Sequence, residues 1–471
     1  MKKRIIATII SMALVISLSA CAGTEKVENT PANTETEVAS DTEDTSSDIA
    51  ESESADESEE NADETAEEAV EELEVPALRD CERTDFEGFI GCAVTASELE
   101  DEKVFDIITK HFSAVTFGNE LKPDCLFGYS NGTCPGTEEV DLNGETLVVP
   151  KMTFARAEKM LDKIYDWNEQ NPDKPIKIRG HVLLWHSQTP EWFFHEDYDK
   201  TKDYVDTKTM NKRLEWYIRS VLTHFVGEDS KYKDMFYGWD VVNEAIADGS
   251  GTYRTDKENA SEKLSNDTHG SNSSWWHVYE SNEFIINAFK FANKYAPASL
   301  ELYYNDYNEC DIKKQRGIIE LLEAVKAQEG EPGVGTRISG MGMQGHYDME
   351  NPNATAVESA IRQYSKYVDS VQITEFDLKA SSGYTGTDEA KIDEFEKQRK
   401  RYNMLYFYIK SACKDADVNF TGITFWGTVD HYSWLQSRSN VGGGNTTGLS
   451  QCPLLFDENY EPKPCFYVFT S

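Results

Sequence analysis

The chain has 471 residues and a formal net charge of −39, with 85 acidic residues against 46 Lys and Arg. That length holds one large domain or two to three small ones. The acid excess argues against a nucleic-acid partner, because a phosphate-binding face needs clustered Lys and Arg.

Residues 1–21 read as a bacterial export signal. Lys2, Lys3 and Arg4 form its basic start, Ile5 to Ile16 its apolar run, and Leu18-Ser19-Ala20 a small-residue stretch before Cys21. The run is shorter than the ~20 residues of a membrane span, so a retained helix is the weaker reading. Leu18-Ser19-Ala20-Cys21 resembles a lipobox, in which the cysteine becomes the lipidated first residue; ordinary cleavage near Ala20 is the alternative. The implied location is the outer side of the cell envelope, lipid-anchored to a membrane or released. Residues 22–78 carry 21 Asp and Glu against one lysine, Lys26, and no aromatic residue precedes Phe86. Such a segment cannot bury enough apolar surface to offset chain entropy, and its charges repel. A disordered acidic linker is expected, a tether in preference to an acidic docking tail. Beyond Cys21 there are eight cysteines. Export permits disulfides, and Cys125/Cys134 and Cys452/Cys465 are the pairs to test first, although spacing alone does not fix connectivity. No zinc-site spacing occurs, and neither metal nor cofactor is expected.

From residue 79 to 471 strand-like and helix-like segments alternate. The strand-like runs are Phe86–Val94, Ala114–Phe117, Ile176–Leu184, Met235–Asn243, Ser299–Asn305, Ile338–Gly345, Ser370–Phe376 and Asn419–Trp426. Between them apolar residues recur at helical spacing, as in Val104/Ile107/Ile108/Phe112 and Leu214/Tyr217/Ile218/Val221/Leu222. Strand–helix alternation points to an α/β parallel sheet, and eight repeats in one domain fit a closed (β/α)8 TIM barrel. An open doubly wound sheet often shows a G-x-G-x-x-G turn after its first strand, and none is present.

Active sites of such barrels lie where the strands end. The fourth run ends Trp239-Asp240-Val241-Val242-Asn243-Glu244 and the seventh Ile373-Thr374-Glu375-Phe376-Asp377. Two carboxylates at one rim are what glycoside hydrolysis needs: one protonates the leaving oxygen, and the other supports or attacks the sugar carbon. The sixth run ends Gln344-Gly345-His346, and residues two apart face the same way. His346 is therefore placed to hydrogen-bond Glu375, with Asp377 orienting the imidazole, which keeps a nucleophile ionised. His181 and His186, five apart on the third run, face opposite sides, and the metal reading fails. His181 and Gln188 suit sugar hydroxyls, and Trp185, Trp426 and Trp434 offer apolar faces. With Asn119, Lys122 and Asn305 they look like a polysaccharide cleft.

These residues resemble glycoside hydrolase family 10, the barrel xylanases. The matching runs are G-N-E-L-K (118–122), G-H-V-L-L-W-H-S-Q-T-P (180–190), W-D-V-V-N-E-A (239–245), Y-N-D-Y-N (304–308), M-Q-G-H (343–346), I-T-E-F-D (373–377), F-W-G (425–427) and P-L-L-F-D (453–457). The resemblance implies a retaining endo-1,4-β-xylanase acting on xylan or xylo-oligosaccharides by double displacement, as a monomer. It makes Glu244 the acid/base and Glu375 the nucleophile, with Asn243 on the sugar 2-hydroxyl and His346 and Asp377 as support. Asn119, Lys122, His181, Trp185, Gln188, Gln344, Trp426 and Trp434 then line the glycone side. Three departures stand out. Gly118 replaces the family's usual Glu, a longer loop holds Cys125 and Cys134, and little sequence follows Lys463-Pro464, so a carbohydrate-binding module is not expected. The alternatives are a related barrel β-1,4-glucanase and a non-catalytic surface glycan-binding lipoprotein, the latter disfavoured because both glutamates are present.

Overall fold

The computed structural model describes residues 74–82, 86, 88–257, 272–437 and 451–470. The export signal with Cys21, and the acidic linker up to residue 73, lie outside the described residues. Val75 packs against the core and Leu78 is fully buried in it, so the packed domain starts earlier than residue 79.

Eight parallel strands form the barrel: β1 (Phe89–Val94), β2 (Ala114–Phe117), β3 (Lys177–Gly180), β4 (Phe236–Asn243), β5 (Glu301–Asp306), β6 (Gly340–Met343), β7 (Ser370–Leu378) and β8 (Phe420–Phe425). Each pairs with its sequence neighbours, and β8 returns to β1 with Ile90 opposite Ile423, which closes the sheet. The strands are where the sequence pattern puts them, with ends shifted by a few residues. The third run stops at Gly180, and only Leu184–Trp185 pairs again with β4. The seventh extends to Leu378.

Among the described residues the α-helices of ten or more residues that cover the barrel are α1 (Glu102–His111), α2 (Ala155–Gln170), α3 (Thr207–Val226), α4 (Glu283–Tyr295), α5 (Ile312–Lys326), α6 (Ala354–Tyr364) and α7 (Asp388–Ala412). Phe466–Thr470, a 3-10 turn, follows β8. Several helix starts are fixed by a side chain that accepts a first-turn N–H, among them Asp101, Asp206, Asp311, Asn353 and Thr387. On α3 the stripe Leu214, Tyr217, Ile218, Val221 and Leu222 is buried, the face that its spacing predicts.

The long loop after β2 holds an antiparallel hairpin, Thr137–Leu142 with Glu145–Pro150, absent from the sequence reading. Its two-residue turn, Asn143-Gly144, has positive φ at both positions (56° and 84°), the pairing that favours a tight hairpin. Neither pair singled out in the sequence is bridged: Cys125, Cys134, Cys452 and Cys465 are free thiols. The Cys134 thiol donates to the Gly136 carbonyl, and that of Cys465 to Gln398 and the Leu454 carbonyl.

Candidate active site

The ends of β4 and β7 bring Glu244 and Glu375 to one rim. The two are joined through amide side chains. Asn305 on β5 donates from Nδ2 to Glu375 Oε1 at 2.8 Å and to Asn243 Oδ1 at 3.0 Å. Asn243 donates in turn to Glu244 Oε1 at 3.1 Å. Gln344 closes the bridge: its Nε2 donates to Glu244 Oε1 at 2.9 Å, and its carbonyl accepts from Glu375 N at 2.7 Å. Trp185 Nε1 donates to the other oxygen of Glu244 at 2.9 Å. Glu244 itself has φ 56°, a conformation that costs a non-glycine residue about 1–3 kcal/mol and collects at functional sites.

Gln344 and His346 reach the same rim because Gly345 takes φ 80° between them. A Cβ there would fall 2.7 Å from Ile373 Cγ2, so glycine is required on both counts. His346 Nε2 lies 3.1 Å from Glu375 Oε2, and its Nδ1 lies 3.0 Å from Asp377 Oδ2, an ion pair whose angle falls short of a well-aligned hydrogen bond. Trp434 Nε1 donates to the same Asp377 oxygen at 2.8 Å and its ring packs 5.0 Å from the imidazole. Burial alone would strip the His346 proton, but the charges and hydrogen bonds of Asp377 and Glu375 outweigh it and raise its pKa to about 10. For Glu375, burial pushes upward, yet the hydrogen bond from His346 and the charges of His181, His346 and Lys122 hold the carboxyl below its ordinary range.

The charge on the other flank rests on residues that the sequence reading passed over. Arg179, buried within the barrel, donates from Nε at 3.1 Å and from NH2 at 2.5 Å to Asp240, and from NH1 to Gln372 Oε1 at 2.8 Å. Asp240 Oδ2 lies 2.9 Å from His181 Nδ1. Burial raises the Asp240 pKa, but Arg179 and His181 overcome it and leave the group ionised. The signal was available: an Arg and an Asp inside apolar strands must pair or pay a large desolvation cost.

Asn119, Trp185, Gln188, Trp426 and Trp434 are half-buried around these carboxylates. Lys122 Nζ donates to Gln188 Oε1 at 3.1 Å and to Asn119 Oδ1 at 3.4 Å and sits 5.1 Å from the Trp185 ring. Trp426 packs edge-on against His181, 5.5 Å between centroids. Asn305 departs from the expected sugar contact. It is fully buried, its Nδ2 serves Asn243 and Glu375, and its Oδ1 accepts from Thr374 at 2.6 Å, so it positions carboxylates instead. At Gly118 an added Cβ would meet only Thr95 Cγ2 at 3.4 Å and Val94 O at 3.8 Å; no packing forbids a side chain there. A cavity of about 620 Å³ is lined in part by Asp248, Asn308, Lys314, His346 and Tyr347.

A closed parallel barrel that presents two linked glutamates from its fourth and seventh strands, one held by a charged histidine, has the framework of a barrel glycosidase. The sequence pattern of Glycosyl hydrolase family 10 matches residues 77–471. The endo-1,4-beta-xylanase of Geobacillus stearothermophilus is 30% identical over 400 residues, covering 83% of this chain and 97% of that protein. The bifunctional endo-1,4-beta-xylanase XylA of Ruminococcus flavefaciens is 31% identical over 378 residues, 80% of this chain. The chain spans only 32% of that larger protein's length. The crystal structure of a Paenibacillus barcinonensis xylanase complexed with a conduramine derivative is similar with a TM-score of 0.62 at 27% identity, covering 85% of this chain and 99% of that one. The chain belongs to glycosyl hydrolase family 10.

Proposed function

We propose that this protein is a retaining endo-1,4-β-xylanase that cleaves internal bonds of xylan by double displacement. The observation that carries the reading is the pair Glu244 and Glu375 linked through Asn305 and Asn243 at one rim. Glu375, kept ionised beside protonated His346, attacks the anomeric carbon while Glu244 donates a proton to the departing oxygen. Glu244 then takes a proton from water, which releases the sugar. Asn243 meets the 2-hydroxyl at the cleaved bond, and Asn119, Lys122, His181, Trp185, Gln188, Gln344, Trp426 and Trp434 hold the glycone sugars. The names of the matched relatives support xylan as substrate. In an anomer-resolved NMR assay, wild type releases the β-anomer first from xylan and is slower on carboxymethylcellulose. Glu375→Ala abolishes turnover with an unchanged circular dichroism spectrum. An initial α-product, or an active Glu375→Ala variant, overturns the reading.

The N-terminal sequence supports a lipid anchor on Cys21 and a disordered linker as tether, with the catalytic domain acting as a monomer. Labelled palmitate should enter wild type and be absent from Cys21→Ala, which should leave the membrane fraction. Equal membrane retention of both sinks the anchor.

A further inference from the structure

The backbone of Glu244 is gripped from every side. Its N–H donates to the Asn305 carbonyl at 2.9 Å, and its own carbonyl accepts from Arg254 Nε at 3.0 Å. The next N–H, of Ala245, donates to the Tyr304 hydroxyl at 2.9 Å, and the Ala245 carbonyl accepts from Arg254 N at 2.7 Å. Thus the two peptides after the Cα are held by one residue, Arg254, and by one hydroxyl. Arg254 is only 5% exposed. It returns to the rim through a tight turn in which Ile246 bridges Tyr253 and Ala247 N donates to Thr252 O at 2.8 Å. Its NH2 reaches Tyr307 Oη at 3.5 Å, and that hydroxyl donates to Asp248 at 2.6 Å. Tyr304 also donates its own proton to Asp306, which Lys314 holds at 2.9 Å.

A left-handed glutamate persists only where its surroundings over-determine it. The left-handed turn aims the Glu244 side chain, whose carboxyl then lies between Trp185 Nε1 and Gln344 Nε2. We infer that Arg254, with the Tyr304 hydroxyl, is a positioning residue that holds the proton-transferring carboxyl of Glu244 in line with the leaving oxygen. The inference rests on the acid/base reading of Glu244. Arginine suits the task because Nε–H sits in a rigid planar group and makes a charge-assisted bond to the carbonyl. Remove that bond and the turn relaxes. The carboxyl then drifts, and a shift of about 1 Å in a reacting group can cost roughly 10²-fold.

The test separates proton transfer from everything else. Arg254→Met and Tyr304→Phe are assayed on xylotetraose, whose sugar leaving group needs a proton, and on 2,4-dinitrophenyl β-xylobioside, whose leaving group does not. For Arg254→Met, kcat/KM on xylotetraose should fall roughly tenfold or more, part of the about 10²–10⁴-fold that a positioned acid supplies. On the aryl glycoside kcat/KM should stay near wild type while kcat and KM fall together, because the later water step slows. Tyr304→Phe should show the same split, to a smaller degree. Loss of fold lowers kcat/KM on both substrates alike, so an equal loss, or none, overturns the inference. Glu244→Ala with azide is the control. If it keeps wild-type activity on xylotetraose, the acid/base reading itself fails; if it shows the split and azide accelerates it, only the Arg254 assignment is on trial.

Discussion

Glu375 faces a protonated His346 on one side and the Arg179–Asp240–His181 chain on the other, so its ionisation is set by neighbours on three strands and their loops. The pH consequences have opposite signs. His346 binds its proton more tightly in the folded protein, with a pKa of about 10 against an ordinary 6.5. Its contribution to stability is fully present below about 6.5 and is lost as pH rises through about 10. Glu375, held below its ordinary value, contributes above that value and loses the contribution as pH falls through its folded pKa. Urea unfolding from pH 6.5 to about 10 should therefore show a falling midpoint for wild type and a flatter profile for His346→Gln. Equal slopes in the two proteins would remove His346 as the titrating group. At this scale the carboxylates, His346 and Asp377 were legible because each closes a strand-like run. Asn305 also closes one, but its full burial was invisible: strand position gives a direction and says nothing of what already occupies the space.

Element by element, the eight strands were legible because buried parallel strands read as short apolar runs separated by helical spacing. The hairpin after β2 was not, since its residues are mostly exposed and its inward positions, Val140 and Leu142 with Leu147 and Val149, are too few to read as a buried strand. The one local signal was Asn143-Gly144. The hairpin is tied to the helical layer: Arg219 on α3 donates to Asp141 O at 2.6 Å, Lys212 pairs with Glu145, and the Tyr198 hydroxyl donates to Val148 O at 3.0 Å. Gly144→Val forces a branched residue into φ 84° and should cost ~1–3 kcal/mol locally. Hydrogen exchange should quicken at the Val140 and Leu147 amides while xylan hydrolysis stays within error of wild type. Slower hydrolysis would mean that the hairpin shapes the cleft.

At the scale of the molecule, the C-terminal segment is fastened by Lys463, buried, whose Nζ reaches Asp430 at 2.9 and 3.1 Å and the Cys452 carbonyl at 2.7 Å. Cys452 and Cys465 flank this ammonium as thiols, and a covalent bridge is not what holds the segment. A reducing agent should accordingly leave the thermal midpoint unchanged, and thiol labelling in denaturant without reductant, read by peptide mapping, should find Cys452 and Cys465 both reactive. A lower midpoint under reduction would restore the pairing that the sequence suggested. Cysteine spacing could not decide this, because an ammonium ion and a disulfide can close the same loop.

In a barrel whose first and last strands meet, each backbone ladder finds its partner within the fold. The two-stranded hairpin Thr137–Pro150 is different: among the described residues it pairs with no third strand, and side chains, Arg219 at the Asp141 carbonyl and Tyr198 at the Val148 carbonyl, stand where a neighbouring strand would bond. Its margins carry Glu138, Glu139 and Asp141, all exposed. A second molecule docking there edge to edge would press carboxylates against carboxylates, which charged edges disfavour.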